Sequence, residues 1–111
     1  MNFDPDAYLA GIIDRERAHA ENVFMTDQPV GCDLCRRPFR AERFLIDGET
    51  KGSPQLGLPN GAGMGQWAHM CNLCFAAKGV GVAWGSGQLY EQTPSGEWLQ
   101  VAGFPPVQDF E

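Results

Sequence analysis

The sequence predicts a small α+β domain organised around paired cysteines, and three observations carry that reading. All four cysteines fall into two C-x-x-C pairs, Cys32-Asp33-Leu34-Cys35 and Cys71-Asn72-Leu73-Cys74. The second pair opens a short stretch of helical character closed by Gly79, while the flanking stretches carry strand signals. Fourteen glycines and eight prolines in 111 residues imply short elements joined by many turns. The length suits one domain with a modest core, since domains of this size are marginally stable.

Taken in order, residues 4–24 (DPDAYLAGIIDRERAHAENVF) read as one amphipathic helix. Asp4 is placed to cap it, Pro5 suits its first position, and Asp6 favours the positive end of the dipole. Tyr8, Leu9, Ile12, Ile13, Ala20, Val23 and Phe24 recur at near-helical spacing. Gly11 weakens the pattern, and His19 is expected in solvent. Residues 26–29 connect to a tight cysteine turn, PVGCDLCRRPF. ERFLIDGET reads as a strand entering a turn at Asp47-Gly48. A Gly/Pro-rich loop spans 51–66. Gln66 to Met70 then form a second strand running into Cys71, and a helix runs from about Cys71 to Lys78. Residues 80–92 and 96–104 are expected as two strands joined around Thr93-Pro94-Ser95-Gly96, with an extended tail. The organisation expected is a helical extension over 1–28 followed by a metal-binding domain over 29–111.

Gly79, Gly81, Gly85 and Gly87 strip side chains from the stretch GVGVAWGSGQLY. Either another backbone approaches closely or the strand bends there. Cover by Trp67, Trp84 or Trp98 is one expectation, and a partner's strand or helix is the other.

The net charge of −6 argues against broad, non-specific DNA binding, which draws on Lys and Arg. No run of apolar residues is long enough to span a membrane. The stretch MNFDPDAYLAG is acidic and does not read as a signal peptide, so a cytoplasmic setting is expected. In that setting paired cysteines bind metal more often than they form disulfides. The positive charge is concentrated beside the first cysteine pair, at Arg36, Arg37, Arg40 and Arg43.

Zinc prefers four ligands in a tetrahedron, and each C-x-x-C turn supplies one edge of it. One structural Zn²⁺ held by Cys32, Cys35, Cys71 and Cys74 is therefore expected. At the start of a helix, free backbone N–H groups and the dipole favour thiolate over thiol. Four thiolates and one Zn²⁺ leave a doubly negative centre, which the four arginines are placed to offset. Their other reading is contact with a phosphate or an acidic partner. Four thiolates also close the coordination shell, leaving no position for a reacting water. His69, two residues before Cys71, would be a fifth ligand. Its expected place is as a donor to a thiolate or in packing. A disulfide or a redox C-x-x-C is the competing reading, but a redox motif of that kind sits in a βαβ chain, which is not seen here.

The order of knuckle, hairpin, and helix carrying the second pair is the layout of a treble-clef zinc finger, here with a C-terminal hairpin and the N-terminal helix added. HNH-type nucleases share that layout. They need a His at the end of the first hairpin strand and a His or Asn in the helix. This chain has Asp47 near the first place and no His over 71–79.

Residues 32–92 resemble a group of small phage and prophage-type proteins. The shared pattern is a first C-x-x-C, a strand ending in D-G, a W-A-x-M-C-x-x-C segment and a glycine-repeating strand finishing G-Q-x-Y. Cys32, Cys35, Asp47-Gly48, Trp67-Ala68, Met70-Cys71, Cys74, Gly79, Gly81, Gly85, Gly87, Gln88 and Tyr90 carry it. The resemblance covers about half the chain and implies a single-zinc treble-clef core. It supplies no activity. The N-terminal helix and the length of the 52–65 stretch depart from the pattern.

The function expected is a zinc-stabilised module that binds another protein, not an enzyme. In a phage setting this would be modulation of a host factor or inhibition of a defence complex, in the host cytoplasm. The alternative is a nucleic-acid-binding finger in which Arg36, Arg37, Arg40 and Arg43, with Trp67 and Trp84, contact phosphate and bases. No membrane partner is expected, and the sequence does not fix the oligomeric state.

Overall fold

A computed structural model of the chain describes residues 3–51 and 66–106. The elements are α1 (Pro5–Ala10), α2 (Arg15–Glu21), β1 (Phe44–Glu49), β2 (Trp67–Met70), α3 (Asn72–Lys78), β3 (Gly87–Gln92) and β4 (Trp98–Ala102). The four strands form one antiparallel sheet in the order β2-β1-β3-β4.

The strands are buried on both faces because their side chains alternate between two small cores. On one face Phe44, Ile46, Met70, Leu89 and Val101 meet Leu9 of α1, Ala18 of α2 and Phe75 of α3. On the other, Leu45, Tyr90 and Trp98 meet Phe39 and the buried cysteines Cys32 and Cys71. Phe39 stands edge-on to Trp98, with ring centroids 5.9 Å apart. The three helices thus cover one face and the first cysteine turn covers the other.

Both sheet edges are occupied, which removes the open backbone groups on which edge strands would otherwise pair with other chains. Along β4, Met25 N–H donates to Trp98 O at 2.9 Å and Gln100 N–H donates to Val23 O at 2.8 Å. Along β2, Asp33 N–H donates to His69 O at 2.9 Å, and His69 N–H donates to the Asp33 carboxylate at 2.8 Å.

Four expectations are corrected. The single helix over 4–24 is two helices. Asp4 does cap the first, accepting from Ala7 N–H at 3.1 Å, with Pro5 in its first turn. Gly11 then closes α1, and Asp14 caps α2 by accepting from Arg17 N–H at 3.0 Å. The Asp14 N–H is turned away to donate to Val101 O at 2.8 Å. A continuous helix would forfeit that bond to the sheet and the new cap. Secondly, Asp47-Gly48 is not a turn. Both lie inside β1, paired with His69 and Ala68 on one side and Gln88 and Gly87 on the other. Thirdly, the strand expected over 80–92 begins only at Gly87. The preceding stretch turns through Gly85 at φ +90°. Fourthly, among the described residues no tryptophan covers the glycines. Gly48 and Gly87 face each other across the sheet, and the carbonyl of Gly81 lies where a Cβ on Gly87 would stand. The second expected strand of that hairpin, 96–104, is seen as Trp98–Ala102. The loop expected over 51–66 and the extended tail fall mostly outside the described residues.

Candidate metal centre

The first cysteine turn is held by its own backbone. Cys32 N–H donates to Arg37 O at 2.9 Å and Arg36 N–H donates to Cys32 O at 2.8 Å. Arg36 adopts the left-handed conformation at φ 70° to close the loop. Phe39 N–H then donates to Val30 O, and Gly31 pairs with Pro38, so Phe39 drops into the core as an anchor. The second pair is placed by β2 and α3. Cys71 is the N-cap of α3, its sulfur accepting from Cys74 N–H at 3.5 Å, and Cys74 lies in the first turn. Gly79 closes the helix, and a side chain there would collide with the Phe75 ring.

These two turns bring the four sulfurs together. All lie within 4.8 Å of one another, and Cys35 Sγ is 3.7 Å from Cys71 Sγ. A tetrahedron with metal–sulfur bonds of about 2.3 Å has edges of about 3.8 Å. All four cysteines are free thiols rather than disulfides. Cys71 N–H donates to Cys32 Sγ at 3.4 Å, so the second turn also solvates a sulfur of the first. Cys32 and Cys71 are buried, Cys74 is half-buried and Cys35 is exposed.

The sulfurs of the cluster differ in how readily they give up protons. Burial pushes Cys32 up, but the amides of Cys71, Cys35 and Leu34 and the neighbouring Cys74 outweigh it and bring the thiol from 9.0 down to about 7. Burial drives Cys74 the other way, and its hydrogen bonds with Cys35, Cys71 and Cys32 add to the rise. Four sulfurs this close cannot all become anions unless a cation sits between them.

Arg37 lies at the edge of the cluster. Its Nη2 donates to Asn72 Oδ1 at 2.6 Å and lies 3.4 Å from Glu42. Its Nε is buried with no hydrogen-bond partner. Cys71 is the chief cause that holds this guanidinium above its ordinary value, through hydrogen bonding. A thiol is a weak acceptor, whereas a metal-bound thiolate accepts well. The donor set and its spacing, with all four sulfurs within 4.8 Å of one another, fit a bound metal ion. That ion would be held by Cys32, Cys35, Cys71 and Cys74.

The other residues singled out from the sequence are spread around this centre. Among the described residues, His69 does not donate to a sulfur. Its Nδ1 lies 3.5 Å from the Asp33 carboxylate, on the β2 edge. Arg43 donates to Glu91 at 3.0 Å and lies over the Phe44 ring. Arg36 and Arg40 are exposed, and neither forms an ion pair among the described residues. Trp67 and Trp84 are exposed, whereas Trp98 is buried in the core.

Two residues at the centre carry no sequence signal. Asn72 lies between the two cysteines of the second C-x-x-C. It accepts from Arg37 and donates through Nδ2 to Asp6 of α1 at 2.7 Å. Asp33, between the cysteines of the first pair, fastens the turn to β2. Neither role follows from spacing, because both depend on what tertiary folding brings near.

No family model matches the chain, and no curated protein or solved structure matches it. Among the described residues, no helix is long and apolar enough to cross a membrane.

Proposed function

We propose that this chain is a structural-zinc protein with a treble-clef core that acts by binding another protein. The four-sulfur cluster carries the zinc assignment, because soft thiolates in a closed tetrahedron select zinc over harder ions. The arrangement of first turn, β1–β2 pair and α3 supports the treble-clef reading. The binding role rests on the surface that this scaffold displays. Phe3, Tyr8 and Val80 are each about half exposed or more. A groove of about 430 Å³ runs between α1 and α3, with Phe3, Tyr8, Phe75 and Val80 in its walls. Exposed large apolar groups gathered along one groove mark contact surfaces more often than isolated ones do.

Such a module works by shape and apolar contact. Zinc contributes rigidity and no reagent. A phage origin would make the partner a host or defence protein, met in the host cytoplasm. The test is affinity capture with the full chain beside a Tyr8→Ala, Val80→Ala double variant, both residues lining that groove. A protein captured by the wild type and lost by the variant supports the reading. A zinc-loaded chain that captures no protein overturns it. The nucleic-acid alternative is decided by a salt-dependent gel shift. Binding at low salt that weakens in Arg36→Ala, Arg40→Ala would favour it.

A further inference from the structure

We propose that Cys35 is a modification site, the sulfur at which peroxides open this metal centre. The inference rests on the zinc reading above and concerns how the same site is regulated. The four sulfurs are unequal. Cys32 Sγ is buried and accepts from Cys71 N–H. Cys71 Sγ is buried, accepts from Cys74 N–H, and has the Arg37 guanidinium beside it. Such donors stabilise charge on sulfur and reduce its readiness to share electrons. Cys74 is half-buried. Cys35 alone is exposed, and among the described residues no N–H donates to its sulfur. Access and electron density therefore coincide at one atom, which is what selects a sulfur for oxidation.

The same geometry supplies a resolving thiol. Cys71 Sγ is 3.7 Å from Cys35 Sγ, within a small movement of the roughly 2.05 Å bond of a disulfide. In the first step Cys35 attacks one oxygen of hydrogen peroxide. The S–O bond forms, the O–O bond breaks, and hydroxide leaves to take a proton. Sulfur is oxidised by two electrons and the peroxide is reduced. In the second step Cys71 attacks the Cys35 sulfenic acid. The S–S bond forms, the S–O bond breaks, and a second hydroxide leaves to take a proton. Two thiolates, one peroxide and two protons become one disulfide and two waters. Only two ligands remain, and they are too few to hold the ion.

The experiment begins with zinc-loaded full-length protein, its stoichiometry established by native mass spectrometry. A preparation without zinc would defeat the metal reading itself, separately from this proposal. Limiting hydrogen peroxide is then added with a chromophoric chelator present, and cysteine states are mapped by peptide mass spectrometry. Cys35 is expected to oxidise about tenfold faster than Cys32 or Cys74. The Cys35–Cys71 disulfide is expected to appear in step with zinc release. Zinc release with Cys35 still reduced, or oxidation that starts at Cys74, overturns the proposal. Cys35→His offers a second arm, because imidazole replaces thiolate as a zinc ligand without its redox chemistry. Where this variant retains zinc, its peroxide-driven release should slow about tenfold, and release at the wild-type rate counts against Cys35. Where it does not retain zinc, the wild-type peptide map alone decides.

Discussion

Cys32 and Cys71 have 1% and 0% exposure, so replacing either disturbs a core as well as a ligand set. Metal binding and folding share one free energy in a small domain. Serine at any of the four cysteines should cost at least about 3 kcal/mol, a fall in Tm of roughly 12 °C or more. The loss should be largest at Cys32 and Cys71. Thermal melts of the four variants check this, and wild-type melting in all four would dispose of the metal. The C-x-x-C pairs were legible because ligand spacing is a local property of sequence. The glycines were legible only in part. Their repetition signals a bare backbone but does not say what fills the space. The structure separates them. Gly87→Ala drives a methyl into the Gly81 carbonyl, whereas nothing lies within 4 Å of a Cβ on Gly81 itself. Gly87→Ala should cost about 1–3 kcal/mol and Gly81→Ala no more than about 0.5, measured by denaturant melts. Equal costs would mean that the close approach is not what the glycine serves.

At the scale of elements, the start of α1 and both ends of α3 were readable because capping chemistry is local. Asp4 and Pro5, and Cys71 and Gly79, mark helix ends in the sequence and in the fold. The break between α1 and α2 was harder to foresee. The apolar periodicity runs straight through Gly11, and the deciding bond, Asp14 N–H to Val101 O, spans most of the chain. Asp47-Gly48 misled for a similar reason. The dipeptide favours a turn, but Gly87 directly opposite needs a partner without a side chain. The docking of α2 gives a pH-dependent test. Glu91 on β3 accepts from Arg15 of α2 at 2.7 Å and from Arg43, the residue before β1, at 3.0 Å. Burial pushes its carboxyl up, but the two arginines outweigh burial and hold it below its ordinary 4.5. A depressed carboxyl stabilises the fold fully above 4.5, and that contribution is lost as pH falls through the lower folded value. Because Arg15 is largely exposed, solvent limits its share to at most about 1 kcal/mol. The stability difference between wild type and Arg15→Ala should hold from pH 7 to about 5 and shrink below about 4.5. Taking the difference cancels the acid sensitivity of the metal centre, which both proteins share. A difference that grows on acidification would reverse the assigned sign.

For the whole molecule, the sheet divides two unequal cores. The helices seal the larger one, whereas the smaller consists of Leu45, Tyr90 and Trp98 against Phe39 and two cysteines. Its outer layer is the first cysteine turn, a stretch without regular secondary structure. Apolar burial of that extent is small against the conformational entropy of an irregular loop, and the proposed zinc would supply the missing fastening. Two-sidedness of this kind was only partly visible in the sequence. The alternation within Phe44-Leu45-Ile46 implies burial on both faces, but which segment covers which face is a matter of topology. Chelating the zinc at neutral pH, with a thiol reductant present, should therefore expose Trp98 first. Trp67 and Trp84 are already in solvent, at 49% and 60% exposure against 2% for Trp98, so a red shift in emission reports mainly the buried ring. Near-UV circular dichroism from the Phe39–Trp98 pair should disappear with it. Restoring one equivalent of Zn²⁺ should return both signals. If the metal is removed and the Trp98 environment stays unchanged, the second core holds without it, and zinc is not the fastening that this fold requires.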